Sequence, residues 1–410
     1  MSDYKLNLIS KIVTAVSGLG VSVVLARYLG LVLRGEFAYV LQLSGVLAIV
    51  LGMGLNQAFP YYYRRRPVDE TYHEFVRLFA IQFVIYSLAA VVLCVVVRNE
   101  SVVCLVLLLV STVLYQQMES AMAAYNIRMK IGTNIVGAIG RLGAHIVMVV
   151  WLPASLLAPT VISASVWLLM PGYYLVRTAR FSQGRVSLGY AREIGAFSWL
   201  PMVSALLLVA NYNFDTVMLK WLGSARDLGN YAVASGIVVY LWMVSDAIKE
   251  VMVSRLVRSR DPRVVLMPLK AALAASLAGV LVVAAGGDFV IPRVFGPDFA
   301  DSYKLCVILV LGVLSMVYFK ILGTYVLADG RRIFYFTVLA VAVILNVAVN
   351  LFAIPAFGAM GAAWTCVLSY SVTGVAFVVY FRRVTEIPWR ELLWLSPSEA
   401  RRMGSLIFGG

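Results

Sequence analysis

The sequence predicts an all-α polytopic membrane protein of about 12 transmembrane helices, in two six-helix bundles related by a parallel pseudo-two-fold repeat. Three observations predict it. Hydrophobic residues make up 62% of the 410 positions and charged residues 13%, against about 45–50% and about 25% in a soluble domain. The apolar residues fall in unbroken blocks, for example 75–97 and 264–285, close to the about 20 residues that cross a hydrocarbon core of about 30 Å. Finally, short motifs recur about half a chain apart.

The blocks read as helices. Backbone amides in lipid must be satisfied within the span, which leaves helices or a closed barrel. A barrel would show alternation in segments of about ten residues, and none is seen. Twelve spans follow: 6–28, 36–59, 75–97, 101–125, 131–151, 155–177, 193–221, 228–254, 264–285, 302–328, 333–354 and 358–381. The first carries Lys11 and has no cleavage site, so it is read as a span rather than a signal peptide. Spans seven and eight are long enough to tilt or project.

Basic residues orient the spans. With the N-terminus inside, 25 of the 34 Lys and Arg residues fall on inner segments and 7 on outer loops, with Arg141 and Lys320 inside spans. That bias places both termini in the cytoplasm, in a cell inner (cytoplasmic) membrane. It also accounts for the net charge of +14 without a nucleic-acid partner.

The repeat is legible as Tyr28-Leu29-Gly30 returning as Trp221-Leu222-Gly223, 193 residues on, while Gly35 returns as Gly229, 194 residues on. A second echo pairs Arg128 and Leu152-Pro153 with Arg331 and Ile354-Pro355. Six spans per copy give both copies one orientation, a parallel arrangement found in secondary transporters. The chain divides accordingly into 1–185, 186–385 and a cytoplasmic segment 386–410. Within the last, Pro388-Trp389-Arg390-Glu391-Leu392-Leu393-Trp394-Leu395 is amphipathic, suited to the inner interface.

Chemistry-bearing residues are sparse. There is no GxxxxGK[S/T] phosphate loop, no His/Cys metal cluster and no Ser-His-Asp set, and the histidines are His73 and His145 alone. Cys94, Cys104, Cys306 and Cys366 have no CxxC spacing and read as free thiols in apolar runs. A carrier without cofactor or metal is expected, not an enzyme.

Ionisable residues inside spans are costly and therefore functional candidates. They are Glu119, Arg141, His145, Asp215, Asp246, Lys249 and Lys320. Arg141 and His145, four apart, share a helix face. Asp215 follows Asn211 at the same spacing, an acidic-amide pair suited to a cation or proton. Arg141, His145, Lys249 and Lys320, with Arg27, make a cationic set for an anionic headgroup. Glu119, Asp215, Asp246 and Asn211 make the ion-coupling or gating set. The bland reading is a group of structural ion pairs, for example Glu119 with Arg141.

Tyr61-Tyr62-Tyr63-Arg64-Arg65-Arg66 reads first as an aromatic and cationic interface anchor, with recruitment of a phospholipid headgroup as the sharper alternative. Gly137, Gly140 and Gly143, and the Gly18/Ser22/Ala26 ladder, read as helix-packing surfaces.

In order and spacing these residues resemble a known family. Leu25-Ala26-Arg27-Tyr28-Leu29-Gly30 precedes Arg34-Gly35-Glu36-Phe37-Ala38. Asp215, Gly223 and Gly229-Asn230-Tyr231-Ala232-Val233-Ala234 follow, then Val294-Phe295-Gly296-Pro297-Asp298-Phe299 and Ala328-Asp329-Gly330-Arg331. Asn346, Asn350-Leu351, Ile354-Pro355, Gly358 and Gly361-Ala362-Ala363 complete the pattern. The chain resembles the polysaccharide (O-antigen type) flippases of the multidrug/oligosaccharidyl-lipid/polysaccharide exporter superfamily.

The resemblance implies two six-helix bundles, alternating access driven by a proton or sodium gradient, and a polyprenyl-pyrophosphate-linked oligosaccharide moved to the outer leaflet. Polysaccharide-assembly proteins are implied partners. Many relatives have fourteen spans, and twelve are expected here. The competing classes are a small-molecule or drug exporter of the same superfamily, a membrane glycan polymerase or glycosyltransferase using Asp298 and Asp301, and a scaffold in an assembly complex.

Overall fold

The structure is a computed structural model, and it describes residues 3–178, 188–256 and 261–393. The expected bundle boundary at residues 185 and 186, the basic residues Arg180 and Arg185, and the tail from Trp394 onward lie outside the described residues.

Among the described residues twelve α-helices follow in order: α1 Asp3–Leu51, α2 Leu55–Tyr63, α3 Val68–Val97, α4 Glu100–Tyr125, α5 Ile127–Trp151, α6 Leu157–Thr178, α7 Leu188–Leu222, α8 Ala225–Leu256, α9 Leu266–Phe295, α10 Ser302–Ala328, α11 Arg332–Thr385 and α12 Trp389–Leu393. Ten of them are long and apolar enough to cross a membrane. Two of the ten are double. Helix α1 breaks at Gly30 (φ 66°, ψ −177°) and α11 at Gly358 (φ 58°, ψ −137°), conformations that favour glycine. Each break turns one continuous helix into two limbs, so the ten long helices supply the twelve spans expected.

The structure corrects the second span. It was expected to run unbroken over 36–59, yet the helix stops at Leu51 and restarts at Leu55. Met53 (φ 51°) and Gly54 (φ 67°) are left-handed at the join. A hydropathy run cannot show this, because Gly52, Met53 and Gly54 are no more polar than a helix interior. The short connection between spans one and two is also helical apart from Gly30, with Arg34 inside α1 donating to Ser22 Oγ at 3.3 Å.

The chain forms two compact units, Met1–Lys220 and Trp221–Gly410. In the first, α4 is the central helix, packed by α1, α2, α3, α5 and α6, and α1 also lies along α5. In the second, α10 is central, packed by α8, α9 and α11. Half of the most apolar window of α4 is buried and 67% of that of α10, against 6% for α3. Helix α3 presents Val84, Leu88, Val92 and Val96 outward, the surface that lipid covers in a spanning helix.

One end of the first unit is aromatic. Phe59, Tyr62, Tyr72, Phe75, Phe79 and Tyr174 form a buried cluster with Met118 and Met122. The tyrosine–arginine run belongs to this packing. Tyr62 is inside it, Tyr61 stacks on Phe197 with ring centroids 4.2 Å apart, Arg65 lies 3.8 Å over Tyr61, and Arg66 lies 3.9 Å over Tyr190. The glycine row is corrected in part. A Cβ at Gly137 would meet Met170 Sδ at 2.7 Å, but Gly140 and Gly143 face open space. The four cysteines are free, with Cys104, Cys306 and Cys366 buried and Cys94 half-buried.

Candidate functional site

In the second unit, three of the candidate residues converge. Helix α8 carries Trp242, Ser245, Asp246 and Lys249, which fall three or four residues apart on one face. Central helix α10 brings Lys320. Its Nζ donates to Asp246 Oδ2 at 2.6 Å, and Lys249 Nζ donates to Asp246 Oδ1 at 3.1 Å. Lys320 also lies 5.4 Å from the Trp242 ring, a cation–π contact. The Trp242 ring meets Tyr370 of α11 edge-on, at 5.4 Å between centroids. One carboxylate therefore pairs with two ammonium groups, and the three side chains together carry a net positive charge.

Burial gives that charge its weight. The Lys320 side chain is 8% exposed, while Asp246 and Lys249 are each 35% exposed. A desolvated ammonium is costly without an anion. Asp246 supplies that anion for both lysines. Phosphate and pyrophosphate oxygens fit such a pair of ammonium donors through charge-assisted hydrogen bonds.

The first unit has a neutral counterpart at the corresponding place. The repeat spacing of 194 residues carries Leu51 onto Ser245, Gly52 onto Asp246 and Gln82 onto Ser276. The contacts follow that register. Gln82 Nε2 donates to the Leu51 carbonyl at 2.6 Å, and Ser245 Oγ lies 3.5 Å from Ser276 Oγ. Where α8 continues through Asp246, α1 ends. Its freed carbonyls are taken by Gln82 and Tyr86 (2.8 Å) at Leu51, and by Gln117 (3.4 Å) at Gly52. Ser120 donates to the Asn56 carbonyl at 2.5 Å. Irregular backbone in a spanning protein persists only where such donors meet it. The two copies have thus diverged at one junction, into an amide-bonded helix break and an ion cluster.

The remaining candidates belong to the first unit. Glu119 pairs with Lys130 at 3.2 Å and accepts from Asn134 at 3.3 Å. Arg141 and His145 share a face of α5 as expected, with His145 Nδ1 2.7 Å from the Arg141 carbonyl oxygen and the His145 ring fully buried. Asp215 and Asn211 are each 1% exposed on α7. Arg27 is exposed near the Gly30 break.

Two ion pairs were missed in the sequence. Lys220 of α7 pairs with Glu36 of α1, and Arg226 pairs with Asp301 at 3.0 Å. Both join motif segments far apart in the chain. The signal in the sequence is that Glu36, Lys220 and Arg226 border a copy of the repeated Gly-containing motif, while Asp301 follows the 294–299 segment.

These features define a class: a multi-pass, all-helical membrane protein with the fold of transporters of the MOP superfamily. The "Lipid II flippase MurJ, inward closed conformation" superposes with a TM-score of 0.75 at 12% identity, covering 98% of this chain and 92% of that one. The MATE multidrug transporter DinF-BH gives 0.65 at 16% identity, with 96% of each chain covered. An inward-facing multidrug resistance MATE family transporter gives 0.63 at 15%, covering 94% and 95%. No curated protein matches in sequence. The model of the polysaccharide biosynthesis protein family matches residues 3–253, and the chain belongs to that family.

Proposed function

We propose that this protein is an ion-coupled carrier that flips a polyprenyl-pyrophosphate-linked oligosaccharide from the cytoplasmic to the outer leaflet. The family and the fold support transport of a polysaccharide precursor. The observation that carries the finer reading is the half-buried Lys249–Asp246–Lys320 cluster, with two cations on one carboxylate.

A sugar headgroup bearing pyrophosphate does not cross apolar lipid unaided, because unpaired polar groups and charges there cost several kcal/mol each. Lys320 and Lys249 replace water around the phosphates. Asp246 holds the same two ammonium groups when no substrate is bound, so the empty carrier never buries two bare cations. Substrate oxygens displace Asp246 on loading, and Asp246 reclaims the lysines on release. Arg141, His145 and Arg27 belong to the wider cationic set, and Asp215, Asn211 and Glu119 to coupling with a proton or sodium ion. The protein sits in the cytoplasmic membrane with both termini inside, where it meets lipid-linked precursors and the polysaccharide-assembly proteins that consume them.

The test uses vesicles reconstituted with the protein and a fluorescent polyprenyl-pyrophosphate oligosaccharide. Lys320→Gln is expected to lower flipping at least tenfold with insertion unchanged. Flipping at the wild-type rate in Lys320→Gln/Lys249→Gln, or uptake of free cationic dyes with no effect of these changes, removes the reading.

A further inference from the structure

A polar cavity of about 1130 Å³ opens at one end of the first unit, among the start of α3, the end of α4, the start of α5 and the end of α6. Its charged lining is balanced. Asp69 and Glu70 come from α3, Arg128 from α5 and Arg177 from α6, with His73 and Tyr125 beside them. Among the described residues, two carboxylates and two guanidinium groups give no net charge. Arg177 is steadied by Tyr173, whose hydroxyl accepts from Nε at 3.4 Å.

A second, apolar groove of about 280 Å³ lies on three of these four helices, α3, α4 and α6. It is lined by Phe79 and Phe83 of α3, Leu114 and Met118 of α4, and Leu168 and Leu175 of α6. The helical rise connects the two. From His73 to Phe83, from Tyr125 to Leu114 and from Arg177 to Leu168 is in each case about 15 Å at 1.5 Å per residue. All three helices thus pass from polar cavity to apolar groove in one direction. The change falls where the apolar block of α3 begins, near Phe75. That is the boundary between headgroups and hydrocarbon whichever way the chain is oriented.

We infer that this surface is a binding site for a zwitterionic glycerophospholipid with an ammonium headgroup, of the phosphatidylethanolamine class. The phosphate is held by Arg128 and Arg177, the ammonium by Asp69 and Glu70, and one acyl chain lies in the groove. Charge complementarity selects this occupant. An anionic lipid leaves both carboxylates facing negative charge, and a choline headgroup offers no N–H to them. A soluble phosphate leaves the groove unused. The site is built from the first unit alone, and it stands or falls independently of the proposed cargo.

Gly172 provides a clean probe. It lines the groove, and a Cβ built on it meets nothing within 4 Å, so a larger side chain enters the groove without disturbing helix packing.

The experiment reconstitutes the full chain in nanodiscs of phosphatidylethanolamine and phosphatidylglycerol, with a trace of phosphatidylethanolamine carrying a photoreactive diazirine in one acyl chain. Native mass spectrometry after gentle extraction is expected to find the ethanolamine lipid retained at least fivefold over the glycerol lipid. Crosslinks should fall on peptides containing residues 79–83 and 168–175. Asp69→Asn/Glu70→Gln should abolish the preference, and Gly172→Leu should abolish the acyl crosslinks while elution stays monodisperse. Equal retention of the two lipids by the wild type overturns the proposal, as do unchanged crosslinks in Gly172→Leu.

Discussion

Asp227 Oδ1 accepts the backbone N–H of Ala359 at 3.1 Å, across 132 positions of sequence. Its other carboxylate oxygen accepts from Ser224 N at 3.2 Å and Ser224 Oγ at 2.6 Å. One side chain therefore fixes the start of α8 and caps the second limb of α11. The Gly358 break supplies that limb with free N–H groups and a partial positive charge. A Cβ at Gly358 would lie 2.8 Å from Asp227 Oδ1.

Gly358→Ala is therefore expected to destabilise the protein by about 1–3 kcal/mol, from left-handed strain and the clash together. Asp227→Ala should cost about 1–2 kcal/mol by loss of the caps, with Asp227→Asn milder. Thermal unfolding in detergent, followed by tryptophan fluorescence, measures both. A Gly358→Ala protein as stable as the wild type would mean the break is not held by this contact.

The lysine cluster is asymmetric, and its variants should be too. Lys249→Gln leaves Asp246 paired with Lys320, whereas Asp246→Asn leaves two neighbouring ammonium groups without their anion. Asp246→Asn should cost about 1–3 kcal/mol, less than the about 3–5 kcal/mol of a fully buried pair because Asp246 is 35% exposed. Lys249→Gln should stay within about 0.5 kcal/mol. Denaturation of the purified variants compares them, and the reverse ranking would show that Asp246 is not the shared counter-ion.

At the end of α1, Gly54 combines a positive φ with a Cβ position 2.3 Å from the Ser198 carbonyl oxygen. Gly54→Ala should therefore push α7 away from the helix break and lower the yield of folded protein severely. Gly45→Ala, on the same helix with open space around it, is the matched control and should behave as the wild type. Size-exclusion profiles of the two variants distinguish local crowding from a general intolerance of α1.

Orientation is testable on the described loops. In a background lacking the four cysteines, Asp298→Cys should react with an impermeant maleimide on intact cells, and Asp329→Cys only after permeabilisation. Both positions are exposed. The opposite pattern would place the termini outside.

Asp215, at 1% exposure, is a candidate for ion coupling. Asp215→Asn keeps its shape and removes its charge. Flipping in reconstituted vesicles should then lose most of its dependence on an imposed proton or sodium gradient, with Asp215→Glu retaining part of it. Unchanged gradient dependence in Asp215→Asn would leave the residue a structural one.

Hydropathy and residue spacing were enough to establish the solvent, the number of spans and the repeat. Bilayer thickness and the cost of unpaired backbone amides make hydropathy a direct reading of span number, and twelve were recovered through the two doubled helices. The repeat was legible because the Gly30/Gly223 and Gly35/Gly229 motifs have identical or near-identical residues. Asp246, Lys249 and Lys320 were also singled out at that level, since charge inside an apolar block stands out without any knowledge of its neighbours.

Which charges meet is a matter of helix packing. Asp246 and Lys320 are 74 positions apart, and nothing local couples them, just as nothing local gave Glu119 to Lys130. The break between Leu51 and Leu55 was likewise invisible. Hydropathy records what a segment is made of, whereas a helix ends where other helices, here through Gln82, Tyr86 and Gln117, offer its carbonyls a partner.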